Sequence, residues 1–145
     1  ICGFTGEIID RDNVIENMAR VITHRGPDSD GFYKDDYVSM GFRRLSIIDL
    51  DAGHQPIFNE DKTLVINFNG EIYNYKEIRE ELIKLGHKFS TNADTEVILH
   101  GFEQWQEGVL DKLRGMFGFA IYNTVDHSLF LQGTSSASSR FTTHR

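Results

Sequence analysis

Cys2 is the residue whose type and position most directly indicate chemistry. It is the only cysteine among 145 residues and lies one position from the amino terminus. An α-amine ordinarily has a pKa of about 7.7–8.0 and a thiol one near 8.5, so the two could exchange a proton near neutral pH, as a nucleophile and its general base do. In this chain Ile1 precedes Cys2, and the nitrogen of Cys2 is then an amide that cannot act as a base. The simpler alternative is a small buried hydrophobic residue at the start of a first strand.

A thiol nucleophile also requires hydrogen-bond donors for a developing oxyanion. Asn69 and Gly70, where a predicted strand ends, offer a side-chain amide and a backbone N–H. Loss of one such donor typically costs about 2.7–4 kcal/mol of transition-state stabilisation. Taken by itself, the Asn-Gly dipeptide is more typical of a turn.

Charged residues elsewhere in the chain could hold a substrate. Arg43 and Arg44 end a predicted strand and could grip a carboxylate with two hydrogen bonds, although a solvated strand end is the commoner role. Glu71 and Asp94 could bind an amine, and Asp94 could equally be a helix N-cap. Together these groups describe a pocket for an α-amino acid. A thiol and an oxyanion hole beside that pocket describe hydrolysis of its side-chain amide.

Composition excludes several other classes of protein. The formal net charge of -7 argues against nucleic acid or an anionic membrane as the main partner. A single cysteine excludes an internal disulfide and fits a reducing compartment. No apolar run is long enough to span a bilayer, and the amino terminus lacks a signal-peptide pattern. We therefore expect a cytoplasmic protein.

Metal and nucleotide chemistry are not indicated by linear spacing. The six histidines show no metal-ligand pattern, and there is no second cysteine for a thiolate site. The chain has neither a P-loop nor a G-x-G-x-x-G motif between a strand and a helix. We therefore expect no metal and no cofactor in this domain.

The hydrophobic pattern predicts strands and helices in the order of an α+β protein. A first strand precedes a helix whose apolar stripe is Val14, Met18, Val21 and Ile22. Strands follow at residues 37–43 and 64–69. A second helix is capped by Asn74 with Glu77 and ended by Gly86, and a third opens near residues 94–96. A buried strand at 117–122 and a partner at 129–131 complete a pattern that favours antiparallel sheet.

The end of the chain has a different composition. Residues 133–145 are rich in serine and threonine and contain little that could join a core. We predict one domain at residues 1–132 and a tail at 133–145 that is disordered or foreign to the domain.

Seven short motifs follow one another along the chain: Cys2-Gly3-Phe4, His24-Arg25-Gly26-Pro27-Asp28, Arg44-Leu45-Ser46-Ile47-Ile48-Asp49, Gly53-His54-Gln55-Pro56, Asn69-Gly70-Glu71-Ile72-Tyr73-Asn74, Asp94-Thr95-Glu96-Val97-Ile98 and Leu113-Arg114-Gly115-Met116-Phe117. Their residues and order resemble the glutaminase domain of glutamine-hydrolysing asparagine synthetases. That domain belongs to the class II glutamine amidotransferases, within the N-terminal nucleophile hydrolases. The resemblance covers about residues 2–132.

The resemblance implies a fold and a reaction. The fold would be a four-layer αββα sandwich, with two antiparallel sheets between helices and its last strands truncated in this chain. The reaction would be hydrolysis of glutamine to glutamate and ammonia through a cysteinyl acyl-enzyme. The family passes the ammonia to an ATP-dependent synthetase domain that amidates aspartate. Glutamine and that domain would be the partners, and a homodimer is left open.

The resemblance also implies a role for each matched residue. Cys2 matches the nucleophile, and Asn69 and Gly70 match the oxyanion hole. The remaining matches are Arg44 for the substrate carboxylate, Glu71 and Asp94 around the substrate amine, and the wall residues Leu45, Ile47 and Ile48.

Three departures from the family pattern affect these expectations. Family members expose the cysteine by removal of the initiator Met, and Ile1 is not a residue that such processing removes. The Ser/Thr tail replaces the family's following strands, and no synthetase domain with its ATP and Mg²⁺ site is present in this sequence. The alternatives are a catalytically silent domain that binds glutamine or docks a partner, and the glutaminase domain of a paralogous amidotransferase with another acceptor.

Overall fold

The computed structural model describes residues 1–44 and 54–133 in full and the backbone of Phe141–Thr143. The chain forms two compact units, Ile1–Pro56 and Ile57–Arg145. Within these described ranges, each unit contains one sheet, and every strand pair in both sheets is antiparallel. The predicted α+β class with antiparallel sheets is thereby confirmed.

The first unit is a small sheet with one helix. Its elements are β1 (Cys2–Thr5), α1 (Arg11–Val21), β2 (Ser29–Lys34) and β3 (Val38–Arg44), with the strand order β1-β3-β2. Strand β2 was not predicted, because its polar residues and glycine lack an apolar alternation. All six residues of β2 pair with β3, from Ser29 opposite Arg44 to Lys34 opposite Ser39, so pairing and not propensity makes it a strand.

Helix α1 buries a different stripe from the predicted one. Ile15 and Ala19 are fully buried, whereas Val21 is 76% exposed. Asp10, the residue before the helix, has a left-handed backbone, and its side chain accepts no hydrogen bond from the first N–H groups of α1. Arg11 instead fixes the start of α1, donating hydrogen bonds to Gly6 O, Asp36 O and Ser39 Oγ.

The second unit contains a larger sheet and two helices. Its elements are β4 (Ile57–Phe58), β5 (Leu64–Ile72), α2 (Tyr75–Lys84), α3 (Asp94–Trp105), β6 (Gly115–Asn123), β7 (Leu129–Gly133) and β8 (Phe141–Thr143). The strands lie in chain order, β4-β5-β6-β7-β8. Its core contains residues of β5, α3, β6 and β7, among them Ile66, Ile98, Phe119 and Phe130.

The last strand, β8, differs from the expectation of an unstructured tail. Phe141–Thr143 pair with Leu129–Leu131 of β7. The serine-rich stretch before β8 lies outside the described residues, and the domain boundary after residue 132 stays a prediction.

Helix α2 starts after Asn74 as predicted, but the side chain of Asn74 does not cap it. Its Nδ2 donates to Lys112 O at 2.9 Å, and its Oδ1 accepts from Arg114 N at 2.9 Å. This amide therefore joins the start of α2 to the segment before β6. The end of the helix is as predicted, since Gly86 has φ +103°, the left-handed conformation that glycine adopts readily.

Helix α3 begins at Asp94, as the sequence predicts, and Glu96 secures its approach. The carboxylate of Glu96 accepts hydrogen bonds from Ser90 N, Thr91 N and Thr91 Oγ1 at 2.6–2.8 Å. Burial opposes its ionisation, yet the hydrogen bonds from His100, Thr91 and Ser90 outweigh that effect and lower the pKa of Glu96 to about 2. A buried carboxylate thus organises the loop that leads into α3. Among the described helices, none combines the length and apolar character needed to cross a membrane.

We expect Glu96→Gln to lower the free energy of unfolding by about 1.5–3 kcal/mol at neutral pH. The neutral amide weakens charge-assisted hydrogen bonds and turns an NH₂ group toward donors. Urea unfolding measures the change. The matched control is Glu80→Gln on the exposed face of α2, which should change stability by no more than about 0.5 kcal/mol. Equal effects of the two substitutions would contradict this role of Glu96.

Candidate active site

Cys2 begins β1 and lies opposite Gly41 of β3. Its thiol is half-buried and donates a hydrogen bond to Gly41 O at 3.7 Å. A Cβ atom on Gly41 would lie 3.0 Å from Cys2 Sγ and 3.3 Å from Ile15 Cδ1. Glycine at position 41 therefore leaves the room that the thiol occupies between the sheet and α1.

The electrostatics of Cys2 do not favour a thiolate. Burial raises the pKa of the Cys2 thiol, and the positive charge of the terminal ammonium group opposes only part of that increase. A thiol with a raised pKa is a weak nucleophile at neutral pH unless a nearby base takes its proton. The residue therefore requires a base of the kind that an α-amine on Cys2 would provide.

Arg44 lies at the end of β3, against the His24–Asp28 motif. Asp28 N donates to Arg44 O at 3.0 Å. A Cβ atom on Gly26 would lie 2.6 Å from Arg44 N and 2.5 Å from Arg43 C, so only glycine allows this close backbone approach. The Gly26-Pro27-Asp28 stretch of the sequence thus sets the backbone position of Arg44.

The structure distinguishes between the two arginines that the sequence offered. Arg43 Nη1 donates to Asp30 Oδ2 at 2.7 Å across the β2–β3 pair. Arg43 is therefore part of a structural ion pair. The assignment of Arg44 as the carboxylate-binding residue stays a prediction.

Asn69 and Gly70 lie inside β5 and not in a turn. The predicted strand end at residue 69 is wrong, because β5 continues to Ile72 and pairs with β6 along its whole length. Residues 64–68 and 72 are buried, whereas Asn69, Gly70 and Glu71 are exposed. Gly70 has φ +142°, and a Cβ atom there would lie 2.2 Å from Met116 O and 2.5 Å from Phe117 Cα. Both facts require glycine at this position.

Glu71 and Asp94 are brought together in the second unit. Asp94 Oδ2 accepts a hydrogen bond at 2.9 Å from Ile72 N, the residue that follows Glu71. Burial raises the pKa of Asp94, and the negative charge of Glu71 raises it further. Backbone hydrogen bonds from Ile72 and Thr95 lower this pKa but do not cancel the increase. Two neighbouring carboxylates with this mutual repulsion favour a cationic group such as an ammonium ion beside them.

The Leu113–Phe117 motif holds this exposed stretch in place. A Cβ atom on Gly115 would lie 2.0 Å from Glu71 O, and Tyr73 N donates to Arg114 O at 2.7 Å. Sequence reasoning recognised Gly115 only as part of a motif, and the steric reason for it is visible only in the pairing of β5 with β6.

The predicted site residues divide between the two units. Cys2 and Arg44 belong to the first unit, and Asn69, Gly70, Glu71 and Asp94 belong to the second. The three predicted wall residues, Leu45, Ile47 and Ile48, lie outside the described residues.

Asn67 is a residue of this region that sequence reasoning did not single out. It lies two positions before Asn69 in β5 and is 1% exposed. Neither polar atom of its side chain has a hydrogen-bond partner among the described residues. A polar residue within an apolar strand was the available signal, since buried amides are normally hydrogen-bonded.

The chain is similar to a known protein family and to several known enzymes. A family model described as a glutamine amidotransferase domain matches residues 1–133. Asparagine synthetase [glutamine-hydrolyzing] 1 of Bacillus subtilis strain 168 is 49% identical over 138 residues, which cover 90% of this chain and 22% of that protein. The corresponding enzyme of Brassica oleracea is 44% identical over 121 residues, covering 83% of this chain and 20% of its own length. The chain thus spans about a fifth of the length of these relatives.

A solved structure shows the same fold at low sequence identity. The glutamine phosphoribosylpyrophosphate amidotransferase from B. subtilis superimposes with a TM-score of 0.53 and 21% identity, covering 69% of this chain and 23% of that chain. This likeness supports the predicted α+β fold class with antiparallel sheets.

We expect Gly70→Ala to lower the free energy of unfolding by about 2–4 kcal/mol, since a methyl group there meets the β6 backbone and the φ angle is unfavourable. Chemical denaturation measures the loss. Gly118→Ala is the matched control, because Gly118 lies opposite Asn69. The atom nearest to a Cβ added at Gly118 would be Gln132 O, at 3.9 Å. Its cost should stay below about 1 kcal/mol. Similar costs for both substitutions would contradict the steric role of Gly70.

Asp94→Asn should raise stability at neutral pH, because it removes a buried charge beside Glu71 while an amide oxygen can still accept from Ile72 N. The folded-state pKa of Asp94 is raised, so its ionised form destabilises the native protein above that pKa. The advantage of the variant should therefore shrink as pH falls through the raised pKa. Urea unfolding at about pH 7 and about pH 4 checks the trend.

Asp126→Asn provides a control of opposite sign. Hydrogen bonds from Ser128 lower the pKa of Asp126, so its ionised form stabilises the native protein above the ordinary aspartate pKa. This variant should be less stable than the wild type at pH 7, with the difference fading in acid. A destabilised Asp94→Asn protein at pH 7 would refute the electrostatic interpretation.

Proposed function

The chain belongs to the family of glutamine amidotransferase domains, and from that premise we propose that it hydrolyses the side-chain amide of glutamine to glutamate and ammonia. The observation that carries the proposal is the exposed stretch of Asn69, Gly70 and Glu71 within an otherwise buried strand. This stretch places two donors and a carboxylate next to one another. The carboxylate of Asp94 lies beside it.

The proposed reaction begins with the thiol of Cys2. The α-amine of Cys2 accepts the thiol proton, and the sulfur attacks the amide carbon of glutamine. The amide oxygen becomes an oxyanion that accepts hydrogen bonds from Asn69 Nδ2 and the N–H of Gly70. The tetrahedral intermediate collapses with loss of the nitrogen, which takes the proton from the amine and leaves as ammonia. A thioester to Cys2 remains.

Hydrolysis of the thioester completes the proposed cycle. The same amine accepts a proton from a water molecule, whose oxygen attacks the thioester carbon. The oxyanion forms again at the same donors, and the thiol leaves with the proton. Glutamate is released and Cys2 is restored. The raised pKa of the Cys2 thiol supports a mechanism in which proton transfer to a base accompanies the attack.

Substrate recognition is proposed to use charge at both ends of the amino acid. The guanidinium of Arg44 binds the α-carboxylate, and Leu45, Ile47 and Ile48 form a wall. The α-ammonium group binds between the carboxylates of Glu71 and Asp94, where it offsets their mutual repulsion. An ammonium ion there lowers the pKa of Asp94, because it favours the ionised form.

The role of the domain in a larger protein is a further part of the proposal. The relatives named above are glutamine-hydrolysing asparagine synthetases. We propose that the ammonia made here is used by a synthetase domain, with ATP and Mg²⁺, to convert aspartate to asparagine. A different acid as acceptor, a homodimer and the cytoplasmic location stay predictions.

The proposal is tested by glutamine turnover in a form that begins with Cys2. We expect glutamate and ammonia in equal amounts, and at least a 100-fold slower reaction when Ile1 is attached, since general-base catalysis contributes about 10²–10⁴-fold. Cys2→Ala in the Cys-first form should abolish turnover while glutamine still binds in calorimetry.

Each alternative has its own outcome in this experiment. Equal turnover by the Cys-first protein and its Cys2→Ala variant would overturn the catalytic assignment. Glutamine binding without turnover in the Cys-first protein would support a silent binding domain. Absence of both a heat of glutamine binding and turnover would mean that the chain shares with the family its fold but not its activity.

A further inference from the structure

Four side chains from three separate segments of the second unit lie close together. Glu60 lies in the turn between β4 and β5, His87 lies in the loop after α2, and His100 and Glu103 lie on one face of α3. Each offers one ligand atom, and these atoms all lie within 4.8 Å of one another. We refer to these residues as the His-Glu cluster. The motif pattern and the proposed glutamine reaction assign no role to it.

The spacing within the cluster fits a tetrahedral metal site. Glu103 Oε2 is 3.4 Å from His100 Nδ1 and 3.6 Å from His87 Nδ1, and Glu60 Oε2 is 3.5 Å from His100 Nδ1. Zinc bonds of about 2.0–2.2 Å to nitrogen and carboxylate oxygen give tetrahedral edges of about 3.3–3.6 Å. Three of the six separations between ligand atoms fall in that range, and all six are at most 4.8 Å.

The outer partners of both imidazoles direct Nδ1 toward the cluster. His87 Nε2 lies 3.0 Å from Gln104 Oε1, which leaves Nδ1 as the nitrogen that faces the cluster. His100 Nε2 faces Glu96 Oε1 at 3.5 Å, so Nδ1 is likewise the nitrogen of His100 that faces the cluster. Metal-bound histidines commonly have their second nitrogen held in this way.

The outer partners of both carboxylates leave one oxygen for the cluster. Glu60 Oε1 accepts from Lys88 N at 3.0 Å, and its other oxygen, Oε2, approaches His100. Glu103 Oε1 accepts from Asn59 Nδ2 at 3.4 Å, while its Oε2 approaches both histidines. Three of the four ligands, His87, Glu60 and Glu103, are therefore held by a hydrogen bond to a second group, an arrangement that metal ligands commonly show.

Charge and access agree with a divalent cation. Two carboxylate side chains lie next to the side chain of His100, which is 1% exposed, and such a pair of acidic ligands suits a doubly charged ion. Phe89 presents its edge to the His100 ring, with the centroids 4.7 Å apart, and closes one side with apolar surface. The Glu60 side chain is 39% exposed, which leaves an approach from solvent.

We propose that the His-Glu cluster binds one zinc ion, or a similar divalent transition metal, and joins the β4–β5 turn, the loop after α2 and helix α3. Two imidazoles and two carboxylates suit such metals, whereas Mg²⁺ and Ca²⁺ prefer oxygen ligands alone. Linear spacing indicated no metal site because the four ligands come from three separate segments. The site is structural and independent of glutamine hydrolysis.

The test measures zinc binding to the chain with Cys2→Ser, which removes the thiol as a competing ligand. After treatment with a chelator, zinc chloride is titrated by calorimetry, and thermal unfolding is followed with zinc and with magnesium. We expect one zinc per chain and a higher melting temperature with zinc alone. Cobalt(II) should give the intense visible bands of a tetrahedral site without a thiolate charge-transfer band.

The variants separate the proposed ligands from other histidines. His87→Gln and Glu103→Gln should each weaken zinc binding at least 100-fold, and Gln104→Ala, which removes only an outer partner, about 10–100-fold. The control is His24→Gln in the exposed turn after α1, which should bind zinc as the parent does. If a ligand variant fails to fold, zinc affinity in Gln104→Ala and the cobalt spectrum of the parent still test whether the His-Glu cluster binds the metal.

Two results would overturn the proposal. One is zinc binding below one ion per chain with no thermal shift. The other is equal affinity in His24→Gln, His87→Gln and Gln104→Ala, which would indicate surface binding of zinc only.

Discussion

The antiparallel pairing of β5 with β6 is the constraint on which the second unit depends. It runs without interruption from Leu64 opposite Asn123 to Ile72 opposite Gly115. The buried faces of the two strands supply much of the core, and α3 packs on β5. The same pairing brings the backbones of the two strands so close at Gly70 and Gly115 that a side chain has no space. The exposed stretch that carries the proposed donors is therefore fixed by backbone contact, which is more rigid than a loop.

The first unit uses the same device around β3. Gly41 makes room for the Cys2 thiol, and Gly26 allows the motif before β2 to lie against the backbone of Arg44. In both units a glycine removes a Cβ atom where two backbones, or a backbone and a reactive side chain, must approach. Several glycines in the motifs are thus positioning residues, although they carry no chemistry of their own.

The two acids at the start of α3 illustrate how environment separates residues of similar type. Glu96 is stabilised as a carboxylate by donors from the preceding loop, and its pKa is lowered to about 2. Asp94, two positions earlier, has a raised pKa because burial and Glu71 outweigh its hydrogen bonds. Ionised Glu96 therefore stabilises the fold. Ionised Asp94 lowers the stability of the fold, and an ammonium group beside it would offset that loss.

The sequence by itself determined the features that depend on local pattern: the starts of α2 and α3, the left-handed glycine at position 86, the antiparallel α+β class, and the motifs around Cys2, Asn69 and Asp94. Strand β2, the buried stripe of α1 and the continuation of β5 through Asn69 and Gly70 were not predictable in this way. Each is decided by a partner distant in the chain, which overrides local propensity. For the same reason only the tertiary structure turned the Asn74 side chain toward Lys112 and Arg114, placed Asp94 beside the Glu71–Ile72 backbone and gathered Glu60, His87, His100 and Glu103. A pattern read along one segment contains no information about which other segment its side chains will meet.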